Sequence, residues 1–188
     1  MYPLPALIGS LKALSGRADW TDHFNLSRKG LQGSFVALLL TLPALYFIAH
    51  AVQIERSQRF GEAISTIPLW PFVIILTLYL LTFAACAYIF AMLFDHHDRF
   101  RPWVITRHWT LFWLVLIVAS LFGLYLLGVL PFGLVNTAAM TGFLGILLMD
   151  IRLAQIIVPF NMGKAILIAC AINAMGLIVV LLGFEQIL

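Results

Sequence analysis

Residues 109–149 read WTLFWLVLIVASLFGLYLLGVLPFGLVNTAAMTGFLGILLM, and this stretch decides the fold. It contains no Asp, Glu, Lys or Arg in 41 residues. One helix of that length would measure about 60 Å, twice the roughly 30 Å hydrocarbon core of a bilayer. Gly128, Pro131 and Gly133 lie near its middle, where a helix is expected to break. We therefore predict two membrane-spanning helices joined by a tight hairpin.

Three further segments are apolar over the roughly 20 residues that a span requires. The five predicted spans are 31–52, 70–94, 109–127, 132–149 and 165–184. None of them contains an Asp, Glu, Lys or Arg. We predict an all-α integral membrane protein in which one domain, residues 1–188, forms a bundle of five transmembrane helices.

The composition excludes a water-soluble domain. Of the 188 residues, 63% are hydrophobic and 10% are charged, whereas soluble domains carry about 25% charged residues. Basic residues exceed acidic ones by only three and form no stripe, so we expect no nucleic-acid partner. Cys86 and Cys170 lie in apolar segments without a CxxC partner, which excludes a disulfide framework and a cysteine-based zinc site.

The distribution of basic residues predicts the orientation of the chain. Arg56 and Arg59 lie between the first and second spans. The other nine lie in regions that alternate with that side: Lys12, Arg17, Arg28, Lys29, Arg99, Arg101, Arg107, Arg152 and Lys164. The positive-inside rule then places the N-terminus in the cytoplasm and the C-terminus outside. We interpret the chain as a protein of a bacterial inner membrane, in contact with its lipid.

The first 30 residues contain an apolar pattern at helical spacing that is too short to span a membrane. Its members are Leu4, Leu7, Ile8, Leu11 and Leu14. Such an amphipathic helix either lies in the cytoplasmic interface of the membrane or docks against the bundle. The pattern favours neither, because lipid and protein are both apolar partners.

The densest group of potential metal ligands is Asp95, His96, His97 and Asp98. Imidazole and carboxylate groups suit zinc, manganese or iron. Adjacent histidines on a helix point about 100° apart, however, and no second spaced set of ligands follows. We favour a solvated loop that acts as an interaction surface, with a metal site as the alternative, and we predict no cofactor.

The first span contains a histidine and a proline, two residues that are unusual within a membrane helix. His50 continues a polar stripe with Tyr46 and Gln53. A lone histidine near the interface is usually satisfied by a neighbour or by water, and the alternative is a chromophore, haem or proton site. Pro43 removes a helical hydrogen bond and predicts a kink at the centre of that span.

Small and polar residues predict close packing between helices. Asn173 is the deepest strongly polar side chain of the spans and should face protein, because an unpaired amide is costly in hydrocarbon. Small residues recur at intervals of three or four, which allows helices to approach closely. The stripes considered as interfaces are Ala169 and Gly176; Thr137, Thr141 and Gly145; and Ala138 and Gly142.

These features favour a non-catalytic helical subunit that packs against partner membrane proteins and stabilises a larger complex. A coupled transporter normally needs charged groups inside the membrane, and the predicted spans contain none. Membrane enzymes usually place clusters of His, Asp, Glu or Ser at the interface, and only the loop around His96 resembles one, so we predict no enzymatic activity. The alternative is a lipid- or small-molecule-handling protein with an intramembrane cavity near Pro43 and Asn173.

Overall fold

The computed structural model describes residues 3–61 and 67–185. Within these ranges the chain is helical, without strands. The helices are α1 Pro3–Leu14, α2 Arg28–Phe60, α3 Leu69–Leu93, α4 Phe100–Leu126, α5 Phe132–Ile157 and α6 Met162–Glu185, with 3₁₀ turns at Ala18–His23 and His97–Arg99. Helices α2 to α6 are long and apolar enough to cross a membrane, so the predicted fold class is confirmed.

Helix α4 lies at the centre of the bundle and contacts α1, α2, α3 and α5, while α6 lies between α3 and α5. Ring contacts define one end of the bundle, which we call the N-terminal end: Phe94 after α3 lies 5.4 Å from Phe160 before α6. Helix α1 joins this end, since Arg152 donates to the Leu14 carbonyl at 3.2 Å. The ends of α2 and α4 meet at the opposite end, which we call the far end.

The hairpin predicted between the third and fourth spans is present. Gly128 has a φ of +73°, a left-handed conformation that suits glycine. Its backbone N–H donates to the Tyr125 carbonyl at 2.8 Å and closes α4. Pro131 directly precedes α5, where its missing N–H costs no helical hydrogen bond.

Helices α4 and α5 extend beyond the apolar segments from which they were predicted. Helix α4 begins at Phe100 rather than near 109, and α5 continues to Ile157 rather than ending near 149. The extensions place Arg107 and Asp150 inside spanning helices, where both are buried. The two charges neutralise each other across the helix interface, so neither requires the helix to end.

Helix α1 docks on the bundle through small side chains. Ala6, Ser10 and Ala13 are buried, and Ser10 Oγ donates to the Ala6 carbonyl at 2.8 Å. Leu4 and Leu11 of the predicted apolar stripe stay exposed. The helix therefore docks against the bundle on one side and leaves an apolar side exposed.

Candidate functional site

The buried core of the bundle contains an ion pair between α4 and α5. Arg107 Nε donates to Asp150 Oδ1 at 3.2 Å. The two side chains are 3% and 1% exposed. Each lies seven residues from the end of its helix that faces the N-terminal end of the bundle, a depth of about 10 Å at 1.5 Å per residue. Such buried charges persist only when they are paired.

Asn173 extends this pair to a third helix. Its Nδ2 donates to Asp150 Oδ2 at 3.0 Å and to the Ala169 carbonyl of its own helix at 2.9 Å. Both oxygens of Asp150 therefore accept hydrogen bonds, one from a guanidinium and one from an amide. Asn173 faces protein, and the group it contacts is the one buried carboxylate that the described residues contain. We call Arg107, Asp150 and Asn173 the polar core.

An aromatic wall closes the polar core on the side of α3. The Arg107 guanidinium carbon lies 4.4 Å from the centre of the Phe83 ring, a cation–π geometry that stabilises a desolvated cation. Phe83 contacts Trp103 edge-on with a centroid distance of 5.6 Å, and both rings are almost fully buried. On this side the Arg107 guanidinium is thus separated from the surroundings by aromatic rings.

His108, the residue after Arg107, faces a different side of α4 and joins this helix to α2. Its Nδ1 lies 3.0 Å from Ser34 Oγ, which donates its own proton to the Leu31 carbonyl at 2.8 Å. The direction of the hydrogen bond between Ser34 Oγ and His108 Nδ1 depends on the tautomer of the imidazole. The Phe35 ring packs edge-on against the imidazole at 5.0 Å. His108 therefore serves as a hydrogen-bonded link between two helices.

Helix α4 also carries buried polar atoms that make no hydrogen bond within the described part of the chain. They are Trp103 Nε1, Thr106 Oγ1, Arg107 Nη1, His108 Nε2, Trp109 Nε1 and Trp113 Nε1. Most buried polar groups in proteins are paired. The central helix therefore has hydrogen-bonding capacity beyond what its protein neighbours use.

The four residues of the candidate metal loop do not converge. Asp95, two residues after the end of α3, adopts a φ of +58°. Asp98 pairs with Arg99 at 3.0 Å, and the His96 ring packs against Phe160 at 5.4 Å. Among residues 3–61 and 67–185, no three His, Cys, Asp or Glu side chains are placed to hold a metal ion. The loop is exposed apart from His96.

His50 and Pro43 both lie on the outer surface of α2. His50 is exposed, so its imidazole is not enclosed as a haem or chromophore ligand would be. Pro43 is also exposed, and α2 continues on both sides of it. An apolar groove of about 130 Å³ lies nearby between α2 and α3, with Leu42 in its wall.

The small-residue stripes lead to different neighbours. Gly176 of α6 faces α3, where a Cβ would come within 2.9 Å of the Tyr79 ring. Ala169, about two helical turns before it, is buried. Gly142 of α5 faces α4, where a Cβ would lie 3.3 Å from Val118, and Ala138 beside it is half-buried. These positions serve packing within the chain.

Thr137 and Thr141 of the remaining stripe point away from the rest of the chain, whereas Gly145 lines a groove between α1, α4 and α5. Thr137 and Thr141 are exposed, and a Cβ at Gly133 or Gly145 would meet nothing within 4 Å. The threonine hydroxyls donate to the carbonyls of Gly133 and Thr137 in their own helix, at 2.8 and 2.9 Å. We call Gly133, Thr137 and Thr141 the α5 outer face.

Comparisons of the chain with protein-family models, curated proteins and solved structures gave no match. The class that the fold and the site define is a five-span helical membrane protein with a buried polar core.

Sequence reasoning identified Asn173 but not the two charges that it accompanies. Arg107 and Asp150 lie just outside predicted spans, at the ends that face the same side of the membrane. One signal could have found them: the residues beyond each charge are also apolar, with Trp103–Ile105 before Arg107 and Leu153–Ala154 after Asp150. Opposite charges embedded in this way at one end of two neighbouring spans predict an ion pair.

Proposed function

We propose that the protein is a non-catalytic helical subunit of a membrane assembly, and that the α5 outer face contacts a helix of the neighbouring subunit. The observation that carries the proposal is a mismatch between the exposure of α5 and its composition. Of the most apolar 18-residue stretch of α5, only 11% is buried, whereas the corresponding share is 22–33% in the other four spans. Its mean hydropathy is nevertheless the lowest of the five, 1.7 against 2.1–2.7.

This combination is the reverse of what lipid alone favours. The span that exposes most surface to hydrocarbon should carry the most apolar side chains, whereas α5 exposes Gly133, Thr137 and Thr141. Glycine and threonine are the residues through which membrane helices pack closely, since they let two backbones approach. A partner helix on this face would bury the small residues and leave the remainder of the bundle to lipid.

The geometry of the polar core supports a structural role over a catalytic one. Arg107 and Asp150 are almost fully buried, and the hydrogen bonds of Asp150 are directed at side chains of α4 and α6. A buried polar group can fix the register of neighbouring helices, as a single buried Asn does in coiled coils. We infer that the polar core holds α4, α5 and α6 in the arrangement that presents the α5 outer face.

We further propose that the N-terminal end of the bundle faces the cytoplasm of a bacterial cell, across the inner membrane. Nine of eleven basic residues support this orientation, since they lie in the segments that the fold brings to that end. A single cysteine at Gln58 in a chain lacking Cys86 and Cys170 should react with an impermeant reagent from outside intact cells. Reaction from outside at His97 instead would reverse the orientation.

The assembly itself is tested on the full-length protein, extracted from its own membrane in a mild detergent and measured by native mass spectrometry. We expect a species heavier than the monomer. The double variant Thr137→Leu/Thr141→Leu should weaken that association about fivefold or more, because overpacking a close contact costs about 1–3 kcal/mol.

The matched control is Ala85→Leu, which adds similar bulk to an exposed position of α3. It should leave both the mass and the melting temperature unchanged. A monomeric wild-type protein would refute the proposal, and so would a threonine double variant that associates as the wild type does.

A further inference from the structure

An apolar groove lies between α1, α4 and α5 at the N-terminal end of the bundle. Its volume is about 180 Å³, and its walls include Leu7, Leu11, Leu14, Trp113, Ile117 and Met149. Two hydroxyl residues also line it, Ser10 and Thr110. Both donate to carbonyls of their own helices, at 2.8 Å in each case. The groove therefore presents a hydrocarbon-like surface along its length.

Part of the groove is open because Gly145 has no side chain. A Cβ at this position would meet nothing within 4 Å, although Gly145 lies in the groove wall. The glycines that serve packing differ, since a Cβ at Gly142 would lie 3.3 Å from Val118 and one at Gly176 would lie 2.9 Å from Tyr79. Packing within the chain thus gives no reason for the small residue at position 145.

Arg152 supplies a positive charge at the end of the groove where α1 ends. Arg152 lies seven residues after Gly145, two helical turns along the same face of α5. Its Nε donates to the carbonyl of Leu14, itself a groove residue, at 3.2 Å. A Cβ on the neighbouring Gly16 would lie 3.0 Å from Arg152 Nη2, so the guanidinium spans the turn that ends α1.

The guanidinium keeps unused donors. Arg152 is exposed and forms no ion pair with a carboxylate of residues 3–61 and 67–185. Two acidic groups near Arg152 are already paired. Asp150, two residues before it, contacts Arg107. Asp19, three residues after Gly16, contacts Lys12 at 2.6 Å. A planar guanidinium with free N–H groups recognises phosphate by paired hydrogen bonds.

We propose that this groove binds one anionic phospholipid, with an acyl chain between α1, α4 and α5 and the headgroup phosphate on Arg152. Charge complementarity selects the occupant, since the groove combines an apolar channel of about 180 Å³, which takes part of an acyl chain, with an unpaired cation at its end. Basic pockets between spanning helices bind anionic headgroups in this way. The proposal goes beyond the assembly role and does not depend on it.

The test uses full-length protein, stripped of lipid in detergent and titrated with phosphatidylglycerol or with phosphatidylcholine of the same acyl chains. Native mass spectrometry counts bound lipids. We expect one tight site with at least about fivefold preference for phosphatidylglycerol, the factor that corresponds to about 1 kcal/mol per basic residue near a membrane surface. Arg152→Gln should remove that preference, and Gly145→Leu should weaken the binding of both lipids.

Two control variants distinguish the groove from the loss of any surface arginine and from added bulk on any helix. Arg99→Gln removes an exposed arginine from the same end of the bundle, and Ala171→Leu adds bulk to an exposed position of α6; neither should change lipid binding. Glycerol 3-phosphate should not displace the lipid, because the groove supplies the apolar part of the affinity. Equal binding of the two lipids, displacement by the soluble phosphate, or wild-type preference in a folded Arg152→Gln variant would each overturn the proposal.

Discussion

The ion pair of the polar core leads to a stability prediction that can be worked from its contacts. Asp150→Leu removes the acceptors of two hydrogen bonds, at 3.2 Å from Arg107 Nε and at 3.0 Å from Asn173 Nδ2. Arg107 then remains as a buried cation, since a guanidinium does not lose its proton in proteins. Breaking a buried pair in this way costs about 3–5 kcal/mol, and we expect a loss of that size in the free energy of unfolding.

The converse variant should be milder. Arg107→Met leaves a carboxyl group that can take up a proton and still accept from Asn173. We therefore expect a loss of about 1–3 kcal/mol, the cost of one unmade buried hydrogen bond. This asymmetry follows from the chemistry of the two groups, because only one of them has an accessible neutral form.

The double variant Arg107→Met/Asp150→Leu tests whether the two charges act as a unit. Apolar replacement of both members of a buried pair is often neutral, and Asn173 retains its bond to the Ala169 carbonyl. We expect the double variant to lie within about 2 kcal/mol of the wild type, so that the coupling energy is at least about 2 kcal/mol.

Unfolding is measured by titration with sodium dodecyl sulfate in mixed micelles, followed through tryptophan fluorescence. Arg99→Met is the matched control, because Arg99 and Asp98 form an exposed pair at 3.0 Å whose loss should cost less than about 1 kcal/mol. Additive single effects, or an Asp150→Leu variant no weaker than this control, would refute the assignment of Arg107 and Asp150 as a stabilising pair.

Two smaller predictions concern other contacts. Gly176→Ala should destabilise the protein by about 1–3 kcal/mol through overpacking against Tyr79. Gly33→Ala should not, because a Cβ there would meet nothing within 4 Å; equal melting temperatures for the two variants would contradict this account. The hydrogen bond from Lys12 holds the pKa of the exposed Asp19 carboxyl below its ordinary value of 3.8. The ion pair therefore stabilises the fold above pH 3.8 and is lost as the pH falls through the lowered pKa. Lys12→Met should raise the midpoint of the Asp19 NMR titration toward 3.8. An unmoved midpoint would show that Lys12 does not lower the pKa of Asp19.

The spans and the hairpin were predictable because hydrocarbon imposes a local rule. Backbone groups in a bilayer must be satisfied within the segment itself, so about 20 apolar residues imply a helix whatever the neighbours are. Gly128 and Pro131 mark the break between α4 and α5 for an equally local reason, since one adopts a positive φ and the other lacks an N–H. Asn173 was predicted to face protein on the same grounds.

The partners of these residues depended on how the helices pack. Arg107 and Asp150 are 43 residues apart. Taken alone, each is typical of a charged residue just outside the end of a membrane span. Their burial becomes favourable only when α4 and α5 lie side by side and α6 brings Asn173 to the second carboxylate oxygen. The outward direction of Thr137 and Thr141 was likewise set by which face of α5 meets α4. Local sequence thus determined that five helices cross a membrane, whereas tertiary packing decided which polar groups they enclose, because desolvated charges are stable only in pairs.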